Sequence, residues 1–234
     1  IYTTGNTLSL HDALPILTSG KQIVEARLDG GMKAMGVTMG DEQRHRLLAL
    51  IGLLHKWNRA YNLTAVRSPE EMVTRHVLDS AAVLPFIRGP ELLDVGSGPG
   101  LPGLVLAILE PTLSVTLLDS NGKKVRFQRQ AVMELGLGNV TPVQARVEVF
   151  ESVPGGYAQV ISRAFSSLGD FVALTANLVA PDGEWLAMKG PAVDDELAGL
   201  PTEIGVGARH ELAVPYSNGS RQLVVLRHRD ETQA

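Results

Sequence analysis

Asp94-Val95-Gly96-Ser97-Gly98-Pro99-Gly100-Leu101-Pro102-Gly103 follows the apolar pair Leu92-Leu93 and leads into a further apolar run ending at Leu109. The stretch reads as the end of a strand opening onto a helix. There, glycine backbone lets a ligand approach, and the free N–H groups of the helix start face it. A nucleotide-like cofactor suits such a loop. The dinucleotide fingerprint G-x-G-x-x-G would need its third glycine at Leu101, so hydride transfer is excluded at a defining position. Asp119 closes the next apolar run, 23 residues after Gly96. A carboxylate at that place can accept from both ribose hydroxyls of a nucleoside. The alternatives are a tight strand-to-helix turn for the loop and a helix cap over Gly122-Lys123 for Asp119.

Outward from the loop, short apolar runs alternate with helical ones. Val115 to Leu118 precedes a helix from Lys123 to Leu135, and Val140 to Val143 and Val160 to Ser162 follow. A helix from Ser167 to Val179 then leads to Trp185 to Met188. This is a β-α-β-α order and predicts a mainly parallel sheet. Glu211 to Val214 and Gln222 to Leu226 are strand-like and separated only by the turn cluster Pro215 to Ser220, which is too short for a crossover helix. They predict an antiparallel C-terminal hairpin on a seven-stranded sheet.

Before the loop, Leu47, Leu50, Ile51, Leu54, Trp57 and Tyr61 recur at steps of three and four, one apolar helical stripe. Ser68-Pro69-Glu70-Glu71 gives a cap, a proline at the first helical position and acids in the first turn of a second helix, continuing to Pro85. Residues 41 to 88 therefore form an N-terminal helical extension to a domain over residues 89 to 229. Residues 7 to 16, TLSLHDALPI, look like the translation of a sequencing-library adapter. Residues 1 to 31 are expected to be a disordered leader of no consequence to the fold, with Met32, Met35 or Met39 as true start. A run broken by His11 and Asp12, with no basic residue before it, lacks the pattern of a secretory signal.

The chain of 234 residues carries 44% hydrophobic and 20% charged residues, enough for one sizeable core and too apolar for a disordered polymer. It has no cysteine, which removes disulfides, thiolate metal sites and cysteine nucleophiles, and permits a cytoplasmic location. No 18-residue apolar stretch exists, so no membrane partner is expected. At a net charge of −4, any polyanion must be held by a local patch.

The acidic-x-Gly-x-Gly-x-Gly order of Asp94 to Gly100 is the pattern of S-adenosylmethionine (SAM) methyltransferases, and the predicted layout is their Rossmann-like fold. The resemblance extends further. His55-Lys56-Trp57-Asn58-Arg59-Ala60-Tyr61-Asn62-Leu63-Thr64, Arg75-His76-Val77-Leu78-Asp79-Ser80, Leu118 to Phe127 and Val160 to Phe165 resemble the bacterial RsmG (GidB) family over about residues 41 to 228. Membership would imply SAM-dependent methylation of guanine N7 in 16S ribosomal RNA, with that RNA or the small ribosomal subunit as partner. Motif by motif it would place cofactor contacts on Gly96, Leu101, Val147, Glu148 and Arg163, beside the Gly98 and Asp119 read above. Ser97 stands where threonine is common.

Guanine N7 has a lone pair and no proton, so positioning can replace a general base. Arg163 is the candidate positioning residue: it could hold the SAM carboxylate, an RNA phosphate or the guanine edge, the alternative being a salt bridge at the sheet edge. Lys123, Lys124, Arg126 and Arg129 form an acid-free cluster suited to RNA phosphates, the alternative being a solvated helix face. His76 and Asp79 lie at i and i+3, but a third ligand is missing and no metal is expected. Trp57 and Tyr61 could stack a base, although their place on the stripe favours core packing. A monomer is expected. The rival readings are a SAM enzyme with a small-molecule acceptor and a non-catalytic RNA-binding relic.

Overall fold

The computed structural model describes residues 10–163 and 165–229, with side chains from residue 20 onward. The strands are β1 (Glu91–Val95), β2 (Ser114–Asp119), β3 (Val140–Gln144), β4 (Tyr157–Ser162), β5 (Val179–Lys189), β6 (Ile204–Glu211) and β7 (Gln222–His228). They form one sheet in the order β3-β2-β1-β4-β5-β7-β6. The first five are parallel, and β7 runs antiparallel to both β5 and β6. The chain steps from β1 outward to β3 and then crosses back to β4 on the other side of β1. That reversal opens a crevice at the carboxyl ends of β1 and β4, the place where such sheets bind ligands.

Alternate residues of the strands feed two cores. Leu92, Leu117, Ile161 and Leu186 face one side, and Leu93, Leu118, Val160 and Trp185 the other. The first side is covered by α1 (Leu10–Ala34), α2 (Asp41–Tyr61), α3 (Pro69–Met72), α4 (Asp79–Ala81), α5 (Gly103–Leu109) and α6 (Gly122–Leu135). The second is covered by α7 (Leu168–Thr175) and α8 (Asp194–Leu197). The N-terminal helices thus share a core with the sheet, Leu47, Leu50, Ile51 and Leu54 of α2 meeting the cluster that holds Leu104 and Phe127.

Local signals explain the main boundaries. Ser68 Oγ accepts from Glu71 N at 3.1 Å to start α3. Asn121 Oδ1 accepts from Lys123 N and Lys124 N to start α6, which ends at Gly136 with φ +62°. The second helix does not run evenly to Pro85. Between α3 and α4, Val73–Leu78 form a π-helical turn, and it turns Asp79 into the interior.

Two expectations are corrected. The strand before the terminal turn is Ile204–Glu211, not Glu211 to Val214. Its exposed, glycine-interrupted sequence shows weak alternation, and pairing with the buried β7 sets it instead. The second correction concerns the leader. Residues 7–9 lie outside the described residues, but α1 carries Leu28 and Met32, both fully buried in the core. Gly31 sits where a Cβ would strike Leu78, so its bare backbone lets α1 lie against the π-helical turn. Arg44 of α2 binds Asp29 through two hydrogen bonds of 2.7 and 2.9 Å, and Arg27 Nη1 donates to Thr74 Oγ1 at 3.1 Å. A segment expected to stand apart is therefore docked from Val24 onward. Its apolar residues are too sparse to read as a stripe.

Candidate functional site

Four glycines of the loop divide the work. Gly96 and Gly98 have φ of +66° and +58°, and a Cβ built on either meets nothing within 4 Å. A Cβ on Gly100 or Gly103 would strike Leu104 or Leu117. The first pair keeps space open at the loop surface, and the second lets the loop pack on the sheet.

Asp119 holds the loop in place. Its Oδ2 accepts from Gly98 N at 2.8 Å and its Oδ1 from Asn121 N at 2.7 Å. From below, Gln128 Nε2 donates to Ser97 Oγ at 3.0 Å and to Gly98 O at 2.7 Å. Ser97 is thus fixed inside the loop, its hydroxyl held by Gln128 and Leu118 O.

Beside this loop lies a cavity of about 240 Å³ lined by Gly96, Asp119, Ser120, Arg146, Val147, Glu148 and Phe165, among others. The structure therefore brings four of the sequence-derived cofactor residues to one wall: Gly96, Asp119, Val147 and Glu148. Gly98 and Leu101 do not line it. Gly98 stands behind Asp119, and Leu101 is buried, with its N–H donating to Ser97 O at 2.9 Å.

Arg163 also lies off that wall. Its Nη1 is 3.4 Å from Asp79 Oδ2 and donates to Arg75 O at 3.3 Å, while Arg221 approaches Asp79 Oδ1 at 3.0 Å. Asp79, almost fully buried, is thereby bracketed by two guanidinium groups. His76 does not meet Asp79. It shares a 2.9 Å hydrogen bond with Thr64 Oγ1, and no group of three or more acidic, His or Cys residues suited to a metal occurs among the described residues.

Burial holds His76 near pKa 4, with the Arg163 charge adding to the shift. Burial pushes Asp94 up to about 7, against Gly103 N–H and Arg163, which pull it down. The two act in opposite directions. Between pH 6.5 and 4 the unfolded chain protonates His76 and the folded one does not, so acidification costs stability. Between pH 3.8 and 7 the folded chain keeps a proton on Asp94 that the unfolded one loses, so a rise in pH costs stability. Melting curves at several pH values should separate them. Relative to wild type, Asp94→Asn should gain stability as pH rises from 4 to 7, and His76→Gln should gain as pH falls over 6.5 to 4.

A second, larger recess of about 820 Å³ begins where the cavity beside the loop stops, at Ser120-Asn121 and Gln144-Ala145. It is lined by Tyr61, Asn121, Lys123, Arg126, Arg129 and Gln144, with Met133 at its side. Lys124 lies outside it. The expected core role of Trp57 and Tyr61 holds for neither completely: Trp57 is half-buried against Phe127, and Tyr61 stacks on Trp57 at 5.2 Å but remains 37% exposed. Tyr61 is at the last turn of α2, where the stripe has run past the edge of the core.

A family model described as "rRNA small subunit methyltransferase G" (GidB) matches residues 43–224. The chain belongs to this family. A ribosomal RNA small subunit methyltransferase G from Chromohalobacter salexigens is 62% identical over 203 residues, covering 87% of this chain and 97% of the relative. One from Escherichia fergusonii is 49% identical over 86% and 97%. Among solved structures, a SAM-dependent methyltransferase from Aquifex aeolicus matches with a TM-score of 0.52 and 18% identity over 64% of this chain and 90% of that one. TrmN from Thermus thermophilus gives 0.52 and 18% over 67% and 53%. These likenesses show the Rossmann-like fold of SAM methyltransferases.

In this GidB chain the donor set fits SAM. The open face of Gly96 leaves room at the cavity wall, Asp119 keeps free lone pairs for hydroxyl groups, and buried Asp94 has an Oδ1 without a partner among the described residues. The sequence reading missed Gln128 and the Asp79 bracket. A polar residue on the buried face of α6 between Val125 and Ala131 is the one signal that marks Gln128.

Proposed function

We propose that the chain transfers a methyl group from SAM to N7 of a guanine in small-subunit ribosomal RNA, in the cytoplasm, as a monomer and without a metal. The observation that carries the reading is the glycine loop itself. In a member of the GidB family, its two open glycines are tied through Gly98 N–H to the acid that ends the next strand.

When bound, SAM supplies an electrophilic methyl group on a sulfonium. Asp119, fixed by two backbone N–H groups, would hold the ribose hydroxyls with its remaining lone pairs. Val147 and Glu148, on the short turn after β3, line the same cavity and would hold the adenine end of the cofactor. Leu101 supports the loop from within, through its N–H to Ser97. Guanine N7 attacks with its own lone pair, so the chain needs no base. It contributes alignment at roughly 3 to 3.5 Å and exclusion of water. Lys123, Lys124, Arg126 and Arg129 attract the RNA backbone.

Mass analysis of ribosomal RNA from cells with and without the protein tests this. One guanine of the small-subunit RNA should lose a methyl group in its absence. An unchanged methylation pattern would overturn the reading.

Arg163 is a positioning residue in this scheme, held by Asp79 and Arg75 O at the carboxyl end of β4. Arg163→Lys keeps the charge and loses the fork. Methyl transfer in single-turnover assays should fall at least about tenfold, equivalent to about 1.4 kcal/mol, with melting temperature nearly unchanged. Full activity in the lysine variant would reduce Arg163 to a salt-bridge partner of Asp79.

A further inference from the structure

We propose that the recess between the end of α2 and the first half of α6 binds an unpaired RNA nucleotide flanking the acceptor, its base stacked on Tyr61 and its phosphates on Lys123, Arg126 and Arg129. This rests on the RNA-methylating function above and adds a base-stacking subsite to it.

Charge is the first argument. The chain is acidic overall, and seven of its fifteen arginines, Arg44, Arg46, Arg88, Arg163, Arg209, Arg221 and Arg227, each pair with a carboxylate. Lys123, Arg126 and Arg129 have no side-chain partner among the described residues, and no acid lines the recess. Glu134, the one acid of α6, accepts from Gln130 Nε2 at 2.6 Å and stays outside the lining. Three uncompensated cations on one wall of a concave surface are a phosphate-tracking arrangement.

The aromatic ring is the second and independent argument. Tyr61 is braced by Trp57 at a centroid distance of 5.2 Å and 28° between planes, and Trp57 is braced by Phe127. The stack is anchored in the core at one end and open at the other. A pre-oriented ring beside cations offers any base a π-face, and Met133, 68% exposed, adds apolar surface next to it. In duplex RNA the base faces are already stacked on one another, so the site selects an unpaired nucleotide.

Position makes it a flanking site. Asp119 and Ser120 line the cofactor cavity and Asn121 to Lys123 line the recess. Likewise Ala145 lines the cavity and Gln144 the recess. A strand lying in the recess thus enters the cofactor cavity's neighbourhood along β2 and β3.

The test uses the full chain, a labelled 12-nucleotide single-stranded RNA of mixed sequence, and the same RNA annealed to its complement. Tyr61→Ala should weaken single-strand binding at least fivefold and leave the slope of log affinity against log salt unchanged, whereas Tyr61→Trp should bind as wild type. Arg126→Ala with Arg129→Ala should reduce that slope by roughly 0.7 for each phosphate no longer neutralised. SAM affinity and melting temperature should be unaltered in all three. Wild-type single-strand affinity in Tyr61→Ala would overturn the inference, as would a duplex bound as tightly as the single strand and equally weakened by the alanine. Methyl transfer to small-subunit RNA, measured separately with wild type, keeps the two readings distinct. If wild type methylates that RNA and Tyr61→Ala binds normally, only the stacking site fails. If wild type transfers no methyl group, the function fails and the oligonucleotide titration still decides the recess.

Discussion

Gly98→Val should bring SAM affinity down by at least about 100-fold in calorimetry, a loss of roughly 2.7 kcal/mol. Two causes combine. Gly98 has φ +58°, which a β-branched residue adopts only under strain, so the loop must shift. A shift of that backbone breaks the 2.8 Å hydrogen bond from Gly98 N to Asp119 and disturbs the carbonyl held by Gln128, so the carboxylate loses its orientation. A Cβ at this position meets nothing within 4 Å, so the strain comes from the backbone conformation and not from a clash. Gly136→Val is the control. That glycine has φ +62°, equally free surroundings and a place at the far end of α6. Both variants should lose roughly 2 kcal/mol of stability, about 4 to 8 °C in melting temperature. Only Gly98→Val should lose SAM. Unchanged SAM affinity in that variant would remove the loop from the site.

Leu28→Ala should destabilise the protein by about 2 to 5 kcal/mol, since a fully buried leucine leaves a cavity that the surrounding helices fill only in part. For a chain of this size that is a fall of roughly 4 to 20 °C in melting temperature. Deleting residues 1–31 should cost at least as much. It removes Leu28, the Asp29 partner of Arg44 and the Arg27 hydrogen bond to Thr74 together. A truncated chain that melted within about 2 °C of the full one would show that α1 docks without contributing.

The contrast between these two sites marks what sequence could disclose. The loop was readable because each signal is local: glycines at fixed steps, an acid one strand later, a cap residue before α6. The helices and parallel strands followed from periodicity for the same reason. Leu28 was not readable, because its neighbours Arg27, Asp29, Gly30 and Gly31 hide the apolar face, and only the approach of Leu78 gives Gly31 a purpose. Tyr61 continued a stripe that is core for four turns, and nothing in the spacing shows where the core ends. Asp79, Arg163 and Arg221 come from three distant parts of the chain and meet only in three dimensions. β6 was misplaced because its own residues express little preference; its partner decides.

That last dependence reaches beyond the finished molecule. β6 has one neighbour in the sheet, and that neighbour is β7, which comes later in the chain. During synthesis, Ile204–Glu211 emerge with no edge to join, since β7 occupies the place next to β5. A stop codon at residue 222 would therefore cost the sheet two strands for the loss of one, and would also uncover the apolar residues of β5 from Trp185 to Met188. Vectorial synthesis leaves the closing of this fold to Gln222–His228.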